Sequence, residues 1–428
     1  MKKRFLTIIV AVLFLGLASL SAQAGEIDIL LNKLVEKGIL TAGEAQQIGT
    51  ETKEQIKADI AKGTDSSLPS WVQTIKLKGD FRARYQLDHT AKSHADQNRG
   101  RVRLRLGMEA KANDKLNVGI GLATGKDDAT AIDKDTARST NQTLGNGFSK
   151  HPITLDYAYA QYTPLSWSTI TVGKFKNVLW EPGDLIWDTD INPEGGALQL
   201  SGKFNSNLDW FINSGVLILD ENSGDGDDPT MYVTQGGTNF KFNDKVSLKS
   251  AVSFYTTSGV KNRALDGTVG TNSKDSLGNL LNEYDTITPA LELTIVDPFK
   301  ALNVGFLDIP QISLFGEYVT NPRIKDGKNA NGYMGGVKFG AAKIANKGDW
   351  QAQYNYGLLQ KDAVLDILPD SDRMGGKTDM FAHEAIFQYG LGKNTYLALD
   401  YYQGRVLHGT QSARQIAHVV QVDWNVKF

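Results

Sequence analysis

From Trp71 to its end the chain is a succession of segments in which apolar and polar residues alternate one by one. A strand sends successive side chains to opposite faces, so each segment reads as a strand with one apolar and one wet side. The last is the clearest: Val420, Val422, Trp424 and Val426 share one face, and Gln421, Asp423, Asn425 and Lys427 share the other. About sixteen such strands are expected, an even number as barrels of this kind require. Their starts fall near Trp71, Arg99, Lys115, Thr154, Ser168, Gly195, Leu208 and Thr230, then Lys245, Tyr284, Pro310, Asn331, Asp349, Thr378, Thr395 and Gln415. The connections alternate between tight and long. Asn113-Asp114, Pro164 to Trp167, Asn205 to Asn207, Asn243-Asp244 and Gly390 to Asn394 are tight; 89–98, 125–152, 177–194 and 257–283 are long. Only Asp297 to Asp308 is long where a short turn is expected. A closed antiparallel barrel with short turns at one rim produces that alternation, and a sandwich has no reason to. The expected fold is therefore an all-β transmembrane barrel over 71–428.

Tryptophan placement agrees. Trp71, Trp167, Trp210, Trp350 and Trp424 fall at or near short-turn strand ends, where an interfacial girdle needs amphipathic rings. Trp180 and Trp187 lie together in one long connection instead.

The first seventy residues differ in kind. Lys2, Lys3 and Arg4 precede an apolar run from Phe5 to Leu20, and Ala22-Gln23-Ala24 offers a cleavage point. This is the layout of a signal peptide over 1–24, too short for a spanning helix. Residues 25–70 read as a short helical segment and linker. Ile27, Leu30, Leu31 and Leu34 are helically spaced, and Thr41-Ala42-Gly43-Glu44 is a capping box opening a second helix to about Lys62. The second helix is poor in apolar residues; it suits a trimeric coiled coil or a local hairpin equally.

Composition narrows the class. Mean hydropathy is −0.30 with no second long apolar run, which excludes a helical membrane protein. In a barrel, lipid-facing and lumen-facing residues cancel to such an average. A net charge of −2 gives no reason to expect nucleic acid, and the absence of cysteine excludes disulfides.

The first two strands carry unusual charge. Lys76, Lys78, Arg82 and Arg84 alternate with apolar residues on the first, and Arg99, Arg101, Arg103 and Arg105 on the second. On the lipid face each guanidinium would cost roughly 2–4 kcal/mol near mid-bilayer, so both rows belong in the lumen. Two arrangements would relieve their mutual repulsion. Loop carboxylates could face them across the pore and create a transverse field, or Asp80 and Glu109 could pair with them within the wall.

Against this background the terminal strand, ending on Phe428 after an export signal, resembles the assembly signal of bacterial outer-membrane barrels. The phrase L-L-N-K-L-V-E-K-G-I-L-T at 30–41 resembles the helical leader of a porin family. In the same family, W-x-x-G-D-L-x-W-D-x-D-x-N-P-E-G is similar to 180–195 here. That stretch resembles the third outer loop of porins, which folds inward. The resemblance implies a constriction formed by Trp180, Asp184, Trp187, Asp188, Asp190, Asn192 and Glu194. It further implies a general porin: a water-filled channel for passive diffusion of small hydrophilic solutes and ions. Its implied partners are outer-membrane lipid, lipopolysaccharide, the barrel-assembly machinery and two further copies in a homotrimer. A solute-specific anion channel of the phosphate type is the main alternative, given eight basic residues on two strands. A barrel enzyme and a barrel sheathing a redox partner stand behind it.

The six histidines are scattered, so neither a catalytic nor a cofactor set is expected. The acidic run 220–228 departs from calcium-loop spacing and reads as a solvated loop, with calcium or lipopolysaccharide-bridging divalent ions as the alternative.

Overall fold

Among the described residues, alternating sequence becomes seventeen strands in one sheet, joined in chain order and closed by pairing of the first with the last. The computed structural model describes residues 31–428 apart from 32, 38–39, 62–69, 91–95, 126–136, 146, 222–223, 225, 301–308, 326, 328 and 411–413. The expected signal peptide, with Ile27 and Leu30, lies outside the described residues. The chain divides into two compact units, Met1–Thr74 and Ile75–Phe428.

In the first unit, α1 (Ala42–Ala61) begins at the expected capping box. The Thr41 amide donates to Glu44 at 2.9 Å, and the Glu44 amide donates back to the Thr41 hydroxyl at 3.3 Å. A single turn, α2 (Ser70–Gln73), follows. Trp71 sits in that turn, so the first strand starts five residues later than the apolar Trp71-Val72 pair suggested.

The second unit is the barrel. Its strands are β1 (Lys76–Thr90), β2 (Gln97–Asn113), β3 (Leu116–Thr124), β4 (Gln142–Thr143), β5 (Ile153–Leu165), β6 (Ser168–Lys174), β7 (Glu194–Asn205), β8 (Leu208–Ile218) and β9 (Thr230–Lys241). They continue as β10 (Val246–Ser258), β11 (Thr286–Val296), β12 (Gln311–Thr320), β13 (Asn331–Gly340), β14 (Trp350–Leu359), β15 (Met380–Gly392), β16 (Thr395–Val406) and β17 (Ala417–Lys427). β4 is a two-residue strand within the connection after β3, adding a rung beside β2. The other sixteen form the closed antiparallel wall.

Short turns share one device. Asn113, Asn205 and Asn243 each accept, through the side-chain carbonyl, the amide two residues on at 2.9 Å. Trp350, Tyr389, Leu397 and Trp424 are mutually in register across β14 to β17. Trp350 and Trp424 therefore stand at one level near the short-turn rim, as an interfacial girdle demands.

The closing seam involves the last residue. Phe428 and Gly79 exchange backbone hydrogen bonds of 2.7 and 3.0 Å. A Cβ on Gly79 would lie 2.6 Å from the Phe428 ring and 2.9 Å from the Arg105 carbonyl oxygen, so only glycine lets that ring lie against β1. Gly79→Val is expected to lower the yield of heat-modifiable, closed barrel on gels. Gly236→Ala, which meets nothing within 4 Å, should leave it unchanged. Equal yields from the two variants would show that the seat is dispensable.

Candidate functional site in the lumen

The connection 175–193 does not extend away from the barrel; it crosses the lumen. Its neck is tied by the Phe175 amide bonding to the Pro193 carbonyl at 2.9 Å and by Lys174 pairing with Glu194 at 2.8 Å. From there it touches wall after wall. The Trp180 peptide is clamped on both sides by the Gln235 amide of β9, at 2.9 and 2.8 Å. Lys338 of β13 donates to the Pro182 carbonyl at 3.0 Å, and the Leu185 amide donates to Glu317 of β12 at 3.2 Å. The Trp187 indole donates to the Tyr255 hydroxyl of β10 at 3.3 Å. On the far side Arg105 of β2 pairs with Asp190 at 3.0 Å, and Asn192 donates to Asp156 of β5 at 2.7 Å. Leu185, Ile186 and Trp187 are buried, which a water-exposed loop tip could not achieve.

A second connection, 360–379, meets it there. Val364, Leu365 and Leu368 join Leu185, Ile186, Trp187, Leu280 and Tyr284 in one apolar cluster. Arg373, 1% exposed, binds Asp184 of the first loop at 2.9 Å and Glu384 of the β15 wall. Arg138 donates to the carbonyls of Asp366, Pro369 and Gly376 at 2.9–3.1 Å and so holds the second loop's shape. Segment 271–273 closes the group: Asp366 accepts the Thr271 and Asn272 amides, and Asp362 accepts that of Ser273.

Charges in the two loops are strongly perturbed. Burial, then Asp190 and Asp372, push Asp188 up to about 8 against two favourable amide donors, Ser371 and Asp190. Burial also raises Glu181 and Asp370 well above the usual carboxylate range. Asp372 goes the other way, down to about 2: burial opposes this, but Arg84 and Arg101 outweigh it.

Along β1 and β2 the basic residues meet carboxylates both of the wall and of the loops. Asp80 accepts from Arg103 and Arg105 at 2.7 Å each, while Lys78 pairs with Glu109. Asp423 of β17 binds Arg84 at 2.8 Å and Arg82 at 3.2 Å, and Asp88 binds Arg99 at 2.7 Å. From the loops, Asp190 reaches Arg105, and Asp372 reaches Arg84 at 2.9 Å. Arg101 is buried and donates to Gln86 at 3.0 Å, and Lys76 is exposed. Glu194 stands apart, at the neck. Sequence reasoning missed Arg373, Arg138, Asp372 and the pairing role of Asp423.

A closed barrel with an apolar exterior, charged residues inside and loops that bond across it defines an outer-membrane channel. Residues 88–283 and 302–428 match the family described as "Putative porin", and the chain belongs to that family. It is an outer-membrane porin, a channel for passive diffusion of small hydrophilic solutes. Among solved structures, OprB of Pseudomonas putida is similar with 11% identity and a TM-score of 0.53, covering 83% of this chain and 94% of that one. The outer-membrane channel DcaP of Acinetobacter baumannii has 13% identity, coverage of 83% and 97%, and a TM-score of 0.46. No curated protein sequence matches the chain.

Proposed function

We propose that the loops 175–193 and 360–379 together form the constriction of this porin. Trp180, Asp184, Trp187, Asp188, Asp190 and Asn192 shape it from one side, and the basic rows of β1 and β2 form the facing wall. The supporting observation is the crossing itself: one loop is bonded to β9, β10, β12 and β13 and also to β2 and β5. A solute moving along the barrel axis must pass its edge. In this reading only part of the acidic set faces solutes, since Asp188 is 4% exposed and works as an anchor. The chain reaches the membrane through removal of 1–24, is assembled through its terminal strand, and works as a homotrimer in contact with lipid and lipopolysaccharide.

The test is single-channel conductance in planar bilayers. Replacing 179–191 by a short Gly-Ser link should raise conductance severalfold, because a narrow eyelet dominates the resistance of a wide barrel. Unchanged conductance in a folded variant would place the resistance elsewhere and end the reading.

A further inference from the structure

We propose that this porin prefers anions, inorganic or small carboxylate-bearing, and that Lys176, Lys249 and Lys427 set that preference rather than the arginine rows. The inference rests on the porin reading above. It starts from what each lumen cation touches. Arg82, Arg84, Arg99, Arg103 and Arg105 all have carboxylates against them, so an ion some distance away meets pairs whose fields largely cancel.

The three lysines are held differently. Among the described residues none of them has a carboxylate within ion-pair distance; each lies over aromatic rings instead. Lys249 Nζ is 4.7 Å from the Trp180 ring and 5.1 Å from that of Phe211. Lys176 lies 5.5 Å over Tyr157, and Lys427 lies 5.4 Å over Tyr396. A ring quadrupole positions an ammonium but carries no net charge, and the nearest carboxylates, Asp80, Asp156 and Glu292, are already bound by Arg103 and Arg105, by Asn192 and by Lys338, so they cancel the lysines' charge only in part.

Placement supports the same reading. Lys176 and Lys427 line one cavity of about 250 Å³ beside β1 and β2. Lys249 lines another of about 500 Å³ with Asn239, Ser247, Asp209 and Glu292, and its strand β10 is seven strands around the wall from β17, which carries Lys427. Cations on opposite sides of one lumen favour the same counter-ion across its whole width. Trp180 belongs to the loop 175–193, so its ring places the Lys249 ammonium beside the proposed constriction.

Reversal potentials in a potassium chloride gradient test this. A unit charge about 8 Å from the ion path in water changes counter-ion occupancy about twofold. Wild type should be anion-selective at low salt, and K176Q/K249Q/K427Q should lose several-fold in the chloride-to-potassium permeability ratio. The corresponding triple arginine variant should keep the ratio. Single variants K249Q and K427Q should each shift it by about twofold, which covers the case where the triple variant fails to assemble. A cation-selective wild type, or an unchanged ratio in conducting glutamine variants, overturns the proposal. Absence of conducting steps from wild type overturns the porin reading instead.

Discussion

Replacing Arg373 with methionine is expected to release both lumen loops at once, raising single-channel conductance and lowering the barrel's heat stability. Arg373 ties Asp184 in the first loop to Glu384 in the wall, while its own backbone belongs to the second loop. It is also stacked 5.8 Å from the Tyr402 ring. Methionine preserves much of the volume, so the loss is chiefly electrostatic. Removing one partner of a buried ion pair typically costs about 3–5 kcal/mol, because the remaining charge stays buried and unpaired. Here two carboxylates lose their partner, with Asp370 and Glu317 close by. The cheapest relief is for Asp184 to swing into water, taking 175–193 with it. The sixteen-stranded wall is held by its own ladder, so the barrel should survive in membranes. Conductance equal to wild type, with unaltered heat-modifiability, would mean that the apolar cluster alone holds the loops.

That arginine was invisible in the sequence for a physical reason. Strand positions were legible because alternation and the turn asparagines are local signals. The starts at Ser168, Leu208, Thr230, Asn331 and Thr395 coincide with expectation, and most others fall within two residues. The basic rows stand out in the sequence because the lipid face would not tolerate them. Loop 175–193 draws attention in the sequence through its resemblance and through carboxylates and indoles that an outward tip does not need. Loop 360–379 has no such phrase, yet Val364, Leu365, Ile367 and Leu368 in an outer connection were a usable sign of inward folding. Ion-pair partners were the least legible. Arg84 and Asp423 lie 339 residues apart in sequence and meet only because β1 closes on β17. No local pattern contains the closure of the barrel.

Conductance noise should grow as pH rises from about 5 to 9, and Asp188 is the group expected to cause it. Asp188 lies where the two loops meet: its amide donates to the Leu368 carbonyl at 2.8 Å, and its carboxyl accepts the Ser371 amide at 2.8 Å. Held at about 8 when the loops are docked, it titrates near 3.9 once they part and water reaches it. Between those values the docked state binds a proton that the released state does not. Stability of the docked state therefore falls as pH rises across this window, by about 1.4 kcal/mol for each pH unit, and levels off above it. Glu181 and Asp370, also raised by burial, act with the same sign. Asp372 acts oppositely but elsewhere: its contribution is complete above about 4 and is lost as pH falls towards 2. Between pH 5 and 9 Asp372 therefore does not interfere. Asp188→Asn carries no titratable proton, so its noise should vary much less between pH 5 and 9. It should be noisier than wild type at pH 5, since one amide donor faces an NH2 group in place of an acceptor. A variant that keeps the full wild-type pH dependence would assign the effect to other groups and leave Asp188 as packing alone.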